Sequence, residues 1–126
     1  MILWRATRYP SLDGNGGRRV SGRWHTRGRR IVYCAPNPAT ALLELVHAEI
    51  DLEDLPIAFR YVEMEAPDSL ATASVEAGVL TLGWENDVER TRRAGDDWLR
   101  AGRTALLQVP CALAPATWNT LLNPEH

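Results

Sequence analysis

Residues 9–29 are poor in apolar side chains and rich in Gly, Asn, Asp and Ser, so they read as one long loop. A structureless stretch of that length is unusual in a small domain and is often functional. At 126 residues the chain is one domain, residues 1–126, with a modest but real core. Regular elements must therefore come from either side of the loop. Before it, Ile2-Leu3-Trp4-Arg5-Ala6-Thr7 has the residue types and rough alternation of a strand. After it, Arg30 to Cys34 is a second, short strand. Pro36-Asn37-Pro38 stops that strand and starts a helix, with Asn37 as N-cap and Pro38 at the first helical position. The helix runs to about Ile50, with an apolar stripe of Ala39, Leu42, Leu43, Val46 and Ile50. Glu44 falls beside that stripe, near Ala41 and Ala48, where small neighbours leave room.

The rest of the chain alternates the same kinds of element. Ile57 to Met64 reads as a strand whose period is broken by Arg60 and Glu63. Pro67 to Leu82 is irregular, with room for a short helical turn. Asn86 to about Gly102 has a partial helical pattern, weakened by Gly95. Thr104 to Val109 is a strand ended by Pro110, with Leu113-Ala114 as a continuation past the proline. Trp118 to Leu122 is a last short segment. There is no repeat, low-complexity tract or linker.

Composition narrows the class. Hydrophobic residues at 45% and charged residues at 24% describe an ordinary soluble globular chain. No apolar run approaches the roughly 20 residues of a membrane span. The start, Met-Ile-Leu-Trp-Arg, lacks a signal-peptide h-region, so the cytoplasm is the expected compartment and no membrane is expected as a partner. Cys34 and Cys111 make neither a metal-ligand pattern nor a disulfide framework, so reduced thiols and no metal are expected. The charge is uneven. Residues 1–43 hold eight arginines and one acid, Asp13, whereas residues 44–126 hold six arginines and 15 acids. Arginine offers a planar fork that grips phosphate oxygens two at a time. The basic half thus suits nucleic acid, a phosphorylated small ligand or an acidic partner. Against nucleic acid, there is no helix-turn-helix, zinc or RNA-binding signature. Arg18, Arg19, Arg27, Arg29 and Arg30 form a solvated basic rim that can also steer an anion.

Three successive local elements each offer one chemically distinct side chain. Arg23 lies in Ser21-Gly22-Arg23-Trp24 of the loop, Tyr33 in the short strand and Glu44 in the helix. A cation, an aromatic and a carboxylate together suit an anionic nucleotide and positive charge developing on a sugar.

These residues carry a resemblance. The chain resembles the RES-domain toxins, partners of Xre-type antitoxins in bacterial toxin–antitoxin pairs. The carriers are Trp4-Arg5, Ser21-Gly22-Arg23-Trp24-His25, Ile31-Val32-Tyr33-Cys34-Ala35, Ala41-Leu42-Leu43-Glu44, Val109-Pro110-Cys111-Ala112 and Trp118 to His126. The likeness spans nearly the whole length. The family's name records an Arg, a Glu and a Ser. Arg23 and Glu44 match the first two. Cys111 stands at the Ser position, after Val109-Pro110, and a thiol is the weaker hydrogen-bond donor. The family pattern usually continues past the point where this chain stops, at His126.

The resemblance implies an α+β fold similar to that of the ADP-ribosyltransferases, with small β-sheets around a NAD-binding cleft flanked by helices. It implies NAD as substrate, with inorganic phosphate as an optional co-substrate, and cleavage of the nicotinamide–ribose bond by hydrolysis, phosphorolysis or transfer of ADP-ribose to a protein. It assigns catalysis to Arg23, Tyr33 and Glu44. It assigns contacts with NAD to Arg5, Arg23, Trp24, Tyr33 and Cys111, although packing is the simpler role for Trp24. It implies a helix-turn-helix antitoxin of Xre type over the cleft and allows a homodimer within that complex. Cys111 leaves a second reading open, that of a catalytically weak member that only binds its partner.

Overall fold

The computed structural model describes residues 1–48 and 59–126. Its elements in chain order are β1 (Ile2–Thr7), a four-residue α1 (Gly16–Arg19), β2 (Val32–Cys34), α2 (Pro38–Ala48), β3 (Arg60–Glu65), β4 (Thr72–Ser74), α3 (Val88–Ala101), β5 (Leu106–Pro110) and β6 (Trp118–Leu122). Two 3-10 turns, Ala77–Val79 and Trp84–Asn86, lead into α3. This is an α+β architecture with two small sheets. β1 pairs antiparallel with β3. The second sheet has the order β2-β6-β5-β4. Its β5–β6 pair is a hairpin, and β4 runs parallel to β5. A parallel pair needs a crossover, and α3 supplies it. The sheets are tied where Trp4 and Ala35 exchange both backbone bonds, at 2.8 and 2.7 Å.

Alternation along the strands divides the core in two. Val32, Cys34 and Leu106 face β1 and β3 and pack with Leu3, Ala66 and Ala105. Leu107, Val109 and Leu121 point to the opposite face and pack with Trp24, Ile31 and Leu99. The loop thus contributes Trp24 to the second core, and α3 contributes Leu99. Among the described residues no helix is long and apolar enough to cross a membrane.

The expected cap of α2 holds, and α3 has one of its own. Asn37 Oδ1 accepts from the Thr40 N–H at 2.8 Å, the cap that starts α2. Asp87 Oδ1 does the same for α3, from Arg90 N–H at 3.2 Å. Gly95 does not break α3; it lets the helix approach the loop. A Cβ there would lie 1.6 Å from the Trp24 carbonyl oxygen. Other details differ. α2 buries Thr40, Ala41 and Leu45, while Ala39 and Leu43 are exposed, so its inner face is turned from the expected stripe. Ala41 therefore flanks Glu44 on the buried side, whereas Ala48 is exposed. The irregular stretch before α3 contains β4, whose Thr72 and Ser74 are exposed and give no apolar signal. Leu113-Ala114 is not a strand. The chain turns after Pro110, and Cys111 N–H closes the turn on Thr117 O at 2.8 Å. Ile50, Ile57 and Ala58, expected in a helix and a strand, lie outside the described residues.

Candidate active site

The face of the four-stranded sheet that carries Leu121 also carries three of the chemically active groups. Tyr33 pairs with Leu121, and Asn119 pairs with Val109 two residues further along β6. Cys111 follows Val109 by two and keeps its parity. α2 brings Glu44 to the end of the β5–β6 hairpin. Glu44 Oε1 accepts from Asn119 Nδ2 at 3.1 Å and from the Cys111 thiol at 3.1 Å. These contacts span 75 and 67 residues. The bond from Asn119 to Glu44 adds a site residue that the sequence did not single out. Asn119 Oδ1 is buried and has no hydrogen-bond partner among the described residues.

The electrostatics of this group are simple. Both donors to Glu44 are neutral. Among the described residues Glu44 forms no salt bridge. Cys111 is 6% exposed. Burial, and then the bond to the Glu44 carboxylate, raises its thiol above the ordinary range. Cys111 therefore stays protonated at neutral pH. It is a hydrogen-bond donor here, not a nucleophile.

A second group surrounds Tyr33. Its Oη lies 2.6 Å from His25 Nδ1 and accepts from Trp24 N–H at 3.2 Å. Burial holds the Tyr33 hydroxyl above its usual range, so it is neutral. Arg23 donates through Nη1 to Glu85 O at 2.6 Å, and its own carbonyl accepts from Thr91 Oγ1 at 2.6 Å. Arg92, which no sequence signal singled out, donates through Nε to Gly22 O at 2.7 Å. The charges of Arg23 and Arg92 both act on Tyr33. A lone arginine in a charged helix pattern looks like a solvated side chain; only the fold puts Arg92 beside the loop.

Not every expected residue gathers here. The Trp24 ring is 2% exposed and packs on Trp84, with ring centroids 5.9 Å apart. That leaves no open ring face for a ligand; its link to the site is the backbone N–H on Tyr33. Arg5 donates through Nη1 to Ser11 O at 2.5 Å, and its charge acts on Cys34, on the sheet face opposite Glu44. Burial pushes the Cys34 thiol up to about 12. A cavity of about 350 Å³ beside Leu3, Gln108 and Thr120 also lies on that opposite face. A groove of about 420 Å³ runs along α3 between Thr26, Arg92, Arg93 and Arg100. Neither is lined by Glu44, Cys111 or Asn119.

Relatives put a family to this arrangement. Residues 2–126 match the RES domain. The chain belongs to the RES-domain family. It is 48% identical over 127 residues to the protein named Toxin Res of Pseudomonas putida, covering 100% of this chain and 86% of that one. It is 40% identical over 121 residues to the Prs ADP-ribosylating toxin of a Sphingobium species, covering 91% of this chain and 73% of that one. A Toxin Res of Photorhabdus laumondii is 32% identical over 131 residues, at 98% and 82% coverage. The match covers both sheets and α1, α2 and α3 among the described residues of this RES domain.

One property of this RES domain follows from His25, which is 2% exposed. Burial lowers its pKa from 6.5; the nearby Asp96 charge opposes that shift and the Arg92 charge adds to it. The folded state therefore binds the proton less readily than the unfolded chain. That contribution to stability is complete above the unfolded value of 6.5 and is lost as pH falls towards the folded pKa. Denaturant unfolding between pH 7.5 and pH 5.5 should show stability dropping with acid, at no more than about 1.4 kcal/mol per pH unit for one proton. The same slope in a His25→Gln variant would remove His25 as its source.

Proposed function

We propose that this protein is a toxin that depletes NAD by cleaving the bond between nicotinamide and ribose, through hydrolysis or phosphorolysis. The observation that carries the reading is a carboxylate, Glu44, held at the end of the β5–β6 hairpin by two neutral donors with no cation on it among the described residues. Fixed negative charge of that kind stabilises positive charge that appears only in the transition state. Cleavage of a nicotinamide–ribose bond creates such charge. The bonding pair leaves with nicotinamide, which becomes neutral, and the sugar carbon passes through an oxocarbenium-like state, as in glycoside cleavage. Water or phosphate then bonds to that carbon, and water gives up a proton to solvent.

The remaining residues fit the substrate. Asn119 Oδ1, buried and without a partner among the described residues, suits a hydroxyl donor such as a ribose 2′-OH beside Glu44. Arg23 uses one Nη on Glu85 O, and the rest of its fork is suited to phosphate. Tyr33 offers its ring as a platform. A second reading, transfer of ADP-ribose to a protein, is favoured by the name of the Sphingobium relative. We place the toxin in the cytoplasm, with an Xre-type helix-turn-helix antitoxin as partner and a homodimer within that complex.

The test is incubation of the purified protein with NAD, with and without phosphate, and chromatography of the products. Nicotinamide with ADP-ribose means hydrolysis. Nicotinamide with a phosphate-dependent ADP-ribose phosphate means phosphorolysis. No nicotinamide in either buffer rejects the depletion reading. Cys111 gives a second check. A hydroxyl donates to a carboxylate more strongly than a thiol, so Cys111→Ser should keep or raise the rate by severalfold, and Cys111→Ala should lower it. A rate lost in Cys111→Ser but kept in Cys111→Ala would show that the bond to Glu44 is not what matters.

A further inference from the structure

A loop with few apolar side chains has to be held by polar bonds. In residues 17–25 those bonds converge on one imidazole. His25 Nε2 lies 3.0 Å from Gly17 O. A carbonyl only accepts, so Nε2 carries the proton. Nδ1 is then a lone pair. It accepts from the Tyr33 hydroxyl at 2.6 Å and shares the Gly22 N–H, at 3.2 Å, with the His25 backbone carbonyl, at 3.1 Å. The Tyr33 oxygen in turn accepts from Trp24 N–H. The chain of donors is complete, from Trp24 to Tyr33 to His25 to Gly17. Only glycine allows it at position 22, because a Cβ there would lie 2.3 Å from the Tyr33 Oη. The proton of the Tyr33 hydroxyl is therefore spent inside the protein and is not free for a ligand.

We propose that His25 is a positioning residue: its neutral ring clamps the Arg23 loop, through Gly17, Gly22 and the Tyr33 hydroxyl, onto the sheet face that carries Glu44. Arg23 lies between the two clamped backbone positions, Gly22 and Trp24. Its guanidinium is aimed from there. The inference rests on the reading of the site as NAD-cleaving, and it removes any proton-shuttling role from His25.

Two measurements test it separately. The first needs no substrate. Nitrogen NMR of the imidazole at pH 7.5 should show the proton on Nε2, and the Gly22 and Trp24 amides should be protected from exchange. Tyr33→Phe and His25→Leu should both expose the Trp24 amide. A proton on Nδ1, or an unchanged Trp24 amide, overturns the clamp. The second is kinetic. Misplacement of a site loop by about 1 Å costs about 100-fold, so His25→Leu should lower kcat/KM for NAD by about 30- to 100-fold. In His25→Asn, the Oδ1 replaces Nδ1 as acceptor, and the rate should recover to within about tenfold of the native protein. The double variant with Tyr33→Phe should be slower than His25→Leu alone, but by less than the product of the two single losses, because the Tyr33–His25 bond is removed by both. Native kinetics in His25→Leu overturn the positioning role. If His25→Leu fails to fold, His25→Asn and Tyr33→Phe decide. A correct tautomer and protected amides in a protein that releases no nicotinamide would reject the NAD reading and support the clamp.

Discussion

Glu44→Gln should abolish most NAD turnover while leaving the fold intact. The amide has the shape of the carboxylate, and its oxygen can still accept from Cys111 and Asn119 at the distances seen for Glu44. Packing of α2 through Thr40, Ala41 and Leu45 is untouched. What disappears is the charge. Removing one well-placed electrostatic group from an active site typically costs about 100- to 1000-fold in rate, or about 2.7–4 kcal/mol of transition-state stabilisation. The assay is initial rate of nicotinamide release, beside a thermal melt. A rate drop with an unchanged melting temperature supports the role given to Glu44. Unchanged turnover sinks it. Equal loss of turnover and stability makes Glu44 a structural residue.

Gly95→Ala should destabilise the protein, although helix propensity alone argues the reverse. Ala is better than Gly inside a helix by about 1 kcal/mol. The added methyl, however, would sit 1.6 Å from the Trp24 carbonyl oxygen and 2.7 Å from its carbon. Those are backbone atoms and cannot swing aside. α3 has to move off the loop. That loosens Thr91 on Arg23 O, Arg92 on Gly22 O, and Asp96 on the Thr26 N–H and hydroxyl. Overpacking costs about 1–3 kcal/mol and more where backbone must shift. We expect a net loss of about 3 kcal/mol, seen as a fall of roughly 10 °C in melting temperature. NAD turnover per folded molecule should fall too, since Arg23 moves with the loop. A variant more stable by about 1 kcal/mol would mean that the helix and loop have slack.

What the sequence disclosed followed from locality. Asn37 and Pro38 announced α2, because a cap and its helix are neighbours in the chain. The strands β1, β2, β5 and β6 were legible from β-favouring runs bounded by Gly, Pro or Asn. β4 was not, since Thr72-Ala73-Ser74 is short and half exposed and becomes a strand only by pairing with β5. The inner face of α2 was misread for a related reason. Leu43 looks like a core residue but is 41% exposed, while Thr40 is buried. Tertiary packing, not composition, chooses which face turns inward. Glu44 stood out because a carboxylate beside an apolar stripe is unusual. Its partner Asn119 did not, because it lies 75 residues away, and neither did Arg92, which meets Gly22 across 70. Gly95 looked like a weakness of α3 and is in fact its point of closest approach to the loop.

The clasp between the loop and α3 also sets a schedule. Thr26 with Asp96, Arg23 with Thr91 and Gly22 with Arg92 are joined across 68 to 70 residues. Glu44 waits longer still, for Cys111 and Asn119. A nascent chain emerges from the ribosome N-terminus first. Until residues 91–119 have been made, the Arg23 loop lacks its bonds to α3 and Glu44 lacks both donors.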